Sequence, residues 1–498
     1  MRFFTALVAL SGAVAAVAAC GSDGGGGTIG GGGSGAGGSD SGVGGSSTGG
    51  GGGVVIKCTP GAVQCAGDIP QSCQINGTWV GGTPCPFTCV AGECSGTCKP
   101  GSTQCKYGKV QKCGTNGEWE GLTDCEFGCD TGVCKTGCTA GEFNCYGNDV
   151  QKCDPGPPSK WTPTGTTCSP TSGQKCDKAS GTCKPVDVVG STTPTGKYYQ
   201  FGIFQANTTA FKGGYDVTSW GDYVYVNRST QFLDVYKITL VDSDGDGVLE
   251  PNQHPDNPDA TGPIEQRTIE LVKSYAKAAP DNAPLGSASV SSLHAQSNDK
   301  IFSLGPAHNG AISEYVFATA ATSVVVQPSA TSIYMSFLGW GFGDSTWYAG
   351  NEGARRVYSW HAPTKAWVAE FGYPDMAGSH MDGMEVVVSP KTKEQYVYVS
   401  DMTSDFIGQY KRGDNGGWVQ EKLYEYNDST KSMVEGFGFG TLSHFWATGG
   451  TYLYELGGGD IQKDLDPCPS GKQACGPNYP ECPTGQYCKT GCCAKGVR

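Results

Sequence analysis

Asp242-Ser243-Asp244-Gly245-Asp246-Gly247 places three carboxylates at alternate positions ahead of a glycine. In a tight loop alternate side chains turn to one side, and hard oxygen ligands at that spacing suit calcium, with the glycine making the sharp bend. The expected ligands are Asp242, Asp244, Asp246 and the carbonyl of Val248. The twelfth position is Gln253, which lacks the bidentate carboxylate that usually closes such a shell, so Asp256 is the next acid able to contribute. A single loop without flanking helices predicts weak affinity, roughly 10⁻⁴ to 10⁻³ M. The competing reading is a solvated acidic turn.

Other chemistry is sparse. The six histidines, at 254, 294, 308, 361, 380 and 444, show no H-x-x-x-H or H-E-x-x-H spacing. No phosphate-binding loop or strand-following dinucleotide fingerprint occurs in the segments that can fold. Gly45-Ser46-Ser47-Thr48-Gly49 matches the nucleophile-elbow pattern, but it has neither the strand before it nor the helix after it that the pattern needs. Lys plus Arg total 34 against 47 Asp plus Glu, a net charge of −13. With no basic run, phosphate backbones find nothing to neutralise them, which argues against a nucleic-acid partner.

The cysteines are segregated. Of 25, Cys20 stands alone, eighteen lie between Cys58 and Cys183, and six lie between Cys468 and Cys493. Cys58, Cys65, Cys73, Cys85, Cys89 and Cys94 are followed by Cys98, Cys105, Cys113, Cys125, Cys129 and Cys134, the same spacing shifted by 40. A third copy starts in register at Cys138, Cys145 and Cys153 and then loosens to Cys168, Cys176 and Cys183. Gly61, Gly101 and Gly141 keep the period; so do Gln71, Gln111 and Gln151, and Trp79, Trp119 and Trp161, the last slipped by two. Residues 54–185 therefore read as three small modules, each closed by three internal disulfides, in an oxidising compartment. Six cysteines allow 15 pairings, among which sequence does not choose. Zinc is disfavoured, because the array has no C-x-x-C pair and no histidine. The tryptophans read as substitute core over the disulfides, with stacking on sugar rings as the other reading. Residues 463–498 hold Cys468, Cys475, Cys482, Cys488, Cys492 and Cys493, a separate six-cysteine mini-domain whose adjacent Cys492-Cys493 pair resembles knotted miniproteins.

Residues 1–19 carry Arg2, an apolar run too short to span a bilayer, and a small-residue end, the pattern of an export signal. Val17-Ala18-Ala19-Cys20 resembles the lipobox of bacterial lipoproteins, which implies cleavage before Cys20, lipidation of that residue and a membrane contact through the anchor alone. An ordinary signal peptide cut at an Ala-x-Ala site is the alternative. Gly21 beside the cysteine fits sorting to the outer membrane and cell surface by the same analogy. Residues 20–53 are almost wholly Gly, Ser, Thr and Asp, a tether with a root-mean-square span of roughly 30 Å. The six-cysteine array resembles repeats of bacterial surface lipoproteins, for which no common activity is implied.

After a linker at 186–196, the chain between 197 and 462 has no cysteine and repeats short alternating runs separated by turn residues. Tyr396-Val397-Tyr398-Val399, Phe406 to Lys411 and Trp418 to Tyr426 are three such runs in succession. Second strands starting at 347, 396 and 445 are 49 apart, which suits four-stranded blades. The fold class is all-β: a β-propeller of five blades, with six as the other count, flanked by disulfide-rich modules. The last blade lacks a fourth strand, which Tyr198–Phe204 is placed to supply. The acidic loop, at 242–262, is an insertion in the first blade, and its continuation to Pro258 resembles a thrombospondin type 3 repeat.

Asp382-Gly383-Met384 with Tyr398-Val399-Ser400-Asp401 resembles the blade signature of the gluconolactonase/senescence-marker propellers. That resemblance implies a channel metal on Asp382, Glu435 and Asn351, joined by Glu352, and Asp401 as a base. The other reading is that these acids cap strand ends. The sequence thus favours an exported, lipid-anchored surface protein with a non-enzymatic binding or structural role toward a protein or polysaccharide, over a lactonase-type metal-dependent hydrolase.

Overall fold

The computed structural model describes residues 58–186, 190–229, 232–245, 249–258, 260–276, 292–304, 310–327, 333–373, 383–389, 391–401, 404–413, 416–426, 436–465, 486–489 and 492–495. The leader, Cys20, the tether, Asp246, Val248, Asp382, Glu435 and most of 463–498 lie outside these residues.

Each array module is a three-stranded sheet followed by a short hairpin or two-strand ribbon. In the first, Val63–Ala66, Ile69–Cys73 and Trp79–Gly81 form the sheet and Thr88–Val90 with Glu93–Ser95 the hairpin. The disulfides are Cys58–Cys73, Cys65–Cys89 and Cys85–Cys94, joining first to third, second to fifth and fourth to sixth cysteine. The second module repeats this with Cys98–Cys113, Cys105–Cys129 and Cys125–Cys134. The third keeps the order with Cys138–Cys153, Cys145–Cys176 and Cys168–Cys183, although its later cysteines have drifted. Trp79, Trp119 and Trp161 each stand opposite a cysteine of the first disulfide, namely Cys73, Cys113 and Cys153. The two-residue slip at Trp161 is taken up in the longer turn that contains Pro157 and Pro158, so the pairing survives.

The cysteine-free region opens with β1 (Gly196–Gln205). Next come β2 (Asp216–Trp220), β3 (Tyr223–Ser229), β4 (Phe232–Val241) and β5 (Gln266–Ala276), one antiparallel sheet. A second sheet is β6 (Ser292–Ser297), β7 (Lys300–Leu304), β8 (Ile312–Val316) and β9 (Ala321–Val326). The third is β10 (Phe337–Gly341), β11 (Thr346–Asn351), β12 (Arg356–His361) and β13 (Ala366–Gly372). Then follow β14 (Gly383–Val388), β15 (Gln395–Asp401), β16 (Phe406–Arg412) and β17 (Trp418–Tyr426). The last strands are β18 (Gly436–Phe439), β19 (Phe445–Gly449) and β20 (Tyr452–Gly457), before a short helix, α1 (Gly459–Leu465).

β1 joins the last two groups into one eight-stranded sheet, in the order β14-β15-β16-β17-β1-β20-β19-β18. Its first three residues run parallel to Tyr424–Tyr426, and the remainder runs antiparallel to β20. The first strands lie side by side in a circuit, β2 by β6, β6 by β10, β10 by β14, β14 by β18, and β18 by β2. This is a propeller-like arrangement of twisted sheets.

The alternation in β15 explains its sequence. Tyr396 and Tyr398 enter a core with Phe437 of β18 and Phe445 of β19. Val397 and Val399 point the other way, into a core with Tyr348 and Phe371 of the sheet before. Both faces are buried, so every residue of the run is apolar or aromatic, and each buried side chain contributes about 1.5–3 kcal/mol.

The third module is docked on the third sheet. Asn148 Nδ2 donates to the Trp367 carbonyl (3.0 Å), Tyr146 meets His361 edge-on, and Gly372 N donates to the Val186 carbonyl (3.0 Å). The second module reaches the neighbouring strands, with Tyr107 beneath the Arg412 guanidinium at 5.4 Å.

Candidate metal centre and the propeller axis

β4 ends at Val241, and the chain enters the acidic turn directly. Asp242 Oδ1 accepts the backbone N–H of Gly245 at 2.6 Å, which folds the turn, and Gly245 takes φ +77°, a conformation suited to glycine. Among the described residues, carboxylate oxygens of Asp242, Asp244 and Glu265 lie within 4.8 Å of one another. Sequence reading missed Glu265. It lies outside the loop pattern, immediately before β5, and only the antiparallel return of the chain brings it to Asp242; the pairing of Val241 with Gln266 fixes that return.

Glu265 is 1% exposed. Its Oε2 accepts the Glu250 N–H at 2.8 Å, while its buried Oε1 has no hydrogen-bond partner among the described residues. Burial pushes its carboxyl above the usual range, against the pull of the Glu250 N–H and Arg267, and the Asp242 and Asp244 carboxylates push it the same way. A buried carboxylate with one oxygen lacking a partner, grouped with two like charges, is what a hard divalent cation would satisfy, so the donor set fits calcium. Asp256 is not in that group; its backbone carbonyl accepts from Tyr199 Oη at 2.9 Å and its backbone N–H donates to His254 Nδ1 at 3.1 Å.

At the axis, polar side chains of first strands bond the backbone of the neighbouring first strand. Asp216 Oδ2 on β2 accepts the Leu293 N–H (2.6 Å), and Thr218 Oγ1 accepts that of Ala295 (3.1 Å), both on β6. Glu385 Oε2 on β14 accepts from Phe439 N at 3.3 Å, on β18. A first strand is a sheet edge, and these bonds satisfy donors that no strand pairs. Between β18 and β2 the backbones approach so closely that a Cβ on Gly438 would sit 2.6 Å from Thr218 Cα. His294 on β6 places Nδ1 3.5 Å from Glu385 Oε1, with both side chains buried. Neither ring nitrogen of His294 has a hydrogen-bond partner among the described residues.

Of the channel residues suggested by resemblance, Asn351 closes its own turn: Oδ1 accepts from Ala354 N and Nδ2 donates to the Tyr334 carbonyl. Buried Asp401 accepts the Ser404 N–H through Oδ1 at 3.1 Å, and the Glu352 carbonyl accepts from Arg355 N at 3.1 Å. The Asn351 and Asp401 side chains thus close turns at strand ends, while the bond given for Glu352 is a backbone one.

No protein-family model matches the chain, and no curated protein matches it. Among solved structures, a chain of a mitotic checkpoint complex aligns at 13% identity over 55% of this chain and 94% of its own, with a TM-score of 0.29. A streptogramin B lyase aligns at 10% identity over 71% of this chain and 89% of its own, with a TM-score of 0.27. Both superpositions are too loose to bear on activity.

Proposed function

We propose that the chain is an exported, lipid-anchored protein of a bacterial cell surface, with a binding or structural role built on a five-bladed, calcium-stabilised β-propeller. The observation that carries the non-enzymatic reading is at the axis. There the carboxylates of Asp216 and Glu385 are occupied in bonding backbone N–H groups of adjacent strands. Five first strands complete the circuit, and β1 serves as fourth strand to the last sheet, which supports five blades over six. Nine disulfides in the array support an oxidising compartment, consistent with export and with lipidation at Cys20. The orphaned Glu265 oxygen beside Asp242 and Asp244 supports calcium. The docked array and propeller would present a rigid surface to a protein or polysaccharide.

The test pairs a protein and glycan array screen with a lactone and phosphoester hydrolysis screen on the oxidised chain. Saturable binding without turnover is expected. Turnover that disappears on replacing Asp382 and Glu435 would replace this reading with the hydrolase.

A further inference from the structure

We propose that Glu265 is a ligand of the cation on the Asp242 loop, and that loading this site locks the insertion onto the β1–β20 pair that closes the ring. The inference rests on the calcium reading and assigns it a closing ligand and a structural consequence.

The twelfth loop position offers the shell at most a neutral amide oxygen. Gln253 carries no charge and lies against Gly262, where an added Cβ would be 1.9 Å from its Oε1. Glu265 brings a carboxylate from the far end of the insertion to within 4.8 Å of those of the two aspartates, and its buried Oε1 has no hydrogen-bond partner among the described residues. Leaving that oxygen unsatisfied beside two negative charges is costly, and a divalent ion removes both penalties at once. The ion would thereby tie residues that enter the insertion to one that leaves it.

Two residues on, Arg267 is the centre of a buried clasp. Its Nε and Nη2 bond Glu455 at 2.9 and 3.2 Å, and its Nη1 donates to the carbonyl of Glu265 itself at 2.5 Å. Nη2 also donates to the Pro251 carbonyl at 2.6 Å, within the insertion. Glu455 Oε1 is 2.7 Å from His444 Nδ1, and His444 Nε2 is 2.8 Å from Asn252 Oδ1, again in the insertion. Glu455 is on β20, opposite Gly202 of β1. Phe201 of β1 stacks on His444 at 4.6 Å beneath Arg267, so the clasp bears on the strand that closes the ring. A bidentate Arg–carboxylate pair tolerates little displacement, and fixing Glu265 fixes the backbone that orients Arg267.

The test uses the oxidised full-length chain, with calcium titrated by calorimetry and hydrogen exchange followed over residues 196–205 and 452–457. Wild type is expected to bind calcium and to slow exchange in both segments on loading. Glu265→Gln is expected to lose at least tenfold in affinity and to show no slowing at calcium levels that saturate wild type. Unchanged affinity in Glu265→Gln overturns the assignment of Glu265 and leaves the calcium loop standing. Calcium binding in wild type without slower exchange overturns the lock. Absence of binding in wild type overturns the calcium reading and this inference together. Should Glu265→Gln not fold, Glu265→Asp decides: a folded chain with affinity reduced threefold or more supports the ligand, and an unchanged affinity overturns it.

Discussion

Lys175 of the third module places its ammonium 2.5 Å from Glu370 Oε2 on β13, across the contact between array and propeller. Glu370 also accepts from Ser359 Oγ at 2.6 Å and from Trp418 Nε1 at 2.8 Å. Burial by itself would push the Glu370 carboxyl up, but Lys175 and Arg412 outweigh it and hold it at about 2. A carboxylate with a depressed folded-state value stabilises the fold above its unfolded value, near 4.5, and that contribution disappears as pH falls toward 2. Urea midpoints measured between pH 5 and pH 2 should therefore fall more steeply for wild type than for Glu370→Gln, with a difference on the order of 2 kcal/mol. Parallel curves would show that the pair contributes nothing.

The pairing of each repeat tryptophan with a cysteine of the first disulfide predicts a structural cost. Trp79, Trp119 and Trp161 are half-buried, and in a module this small little else can cover the sulfurs. Each Trp→Ala change should lower module stability by about 1–3 kcal/mol, read as earlier thermal unfolding and faster proteolysis of the array. Retained stability with lost polysaccharide pulldown would reverse the assignment in favour of sugar stacking.

The strands were legible because period-two alternation survives burial on both faces, as Tyr396 to Val399 illustrates. The tandem array was legible because two adjacent copies repeat six cysteines at one spacing. The disulfide pairing was not, because it depends on which strands face one another. Glu265 escaped for the same cause: it is remote from the loop motif along the chain, and the antiparallel register of β4 and β5 alone makes it a neighbour of Asp242. The sequence left two readings open for strand-end polar residues such as Asn351, because an acid or amide there reads alike in a turn and in a metal site; the Asn351 bond to Ala354 N depends on backbone geometry that spacing does not carry.

Gly147 occupies the tip of the third module's first hairpin at φ +61°, and a Cβ there would lie 2.4 Å from Thr364 Oγ1. Gly147→Ala meets both backbone strain, about 1–2 kcal/mol, and a steric conflict with the third sheet. The module should stay folded on its disulfides while its grip on the sheet loosens. Hydrogen exchange over residues 366–372 should quicken, and equal protection in the variant would argue that this contact is incidental.

Calcium should stabilise the native chain by mass action. With a dissociation constant of roughly 10⁻⁴ to 10⁻³ M, about 10 mM free calcium would add about 1.4–2.7 kcal/mol. In differential scanning fluorimetry, chelation should lower the unfolding midpoint by a few degrees, and Asp244→Asn should abolish the difference. An unchanged midpoint in wild type would remove calcium from the account.

Ring closure depends on a strand from the start of the cysteine-free region. β1 satisfies the edges of β17 and β20 together, and Tyr198 Oη ties it to the Asp405 carbonyl at 2.5 Å. Deleting residues 196–205 would leave two long edges with unpaired backbone donors and acceptors, and would take Tyr198 and Phe204 out of the cores they fill. The shortened chain should aggregate or populate an open, protease-sensitive state. A synthetic peptide of residues 196–205 added during refolding should restore a monomeric, protected species, because the groove it enters is defined by hydrogen bonds on both sides. A deleted chain that stays monomeric and protected without the peptide would mean that the sheets close without β1.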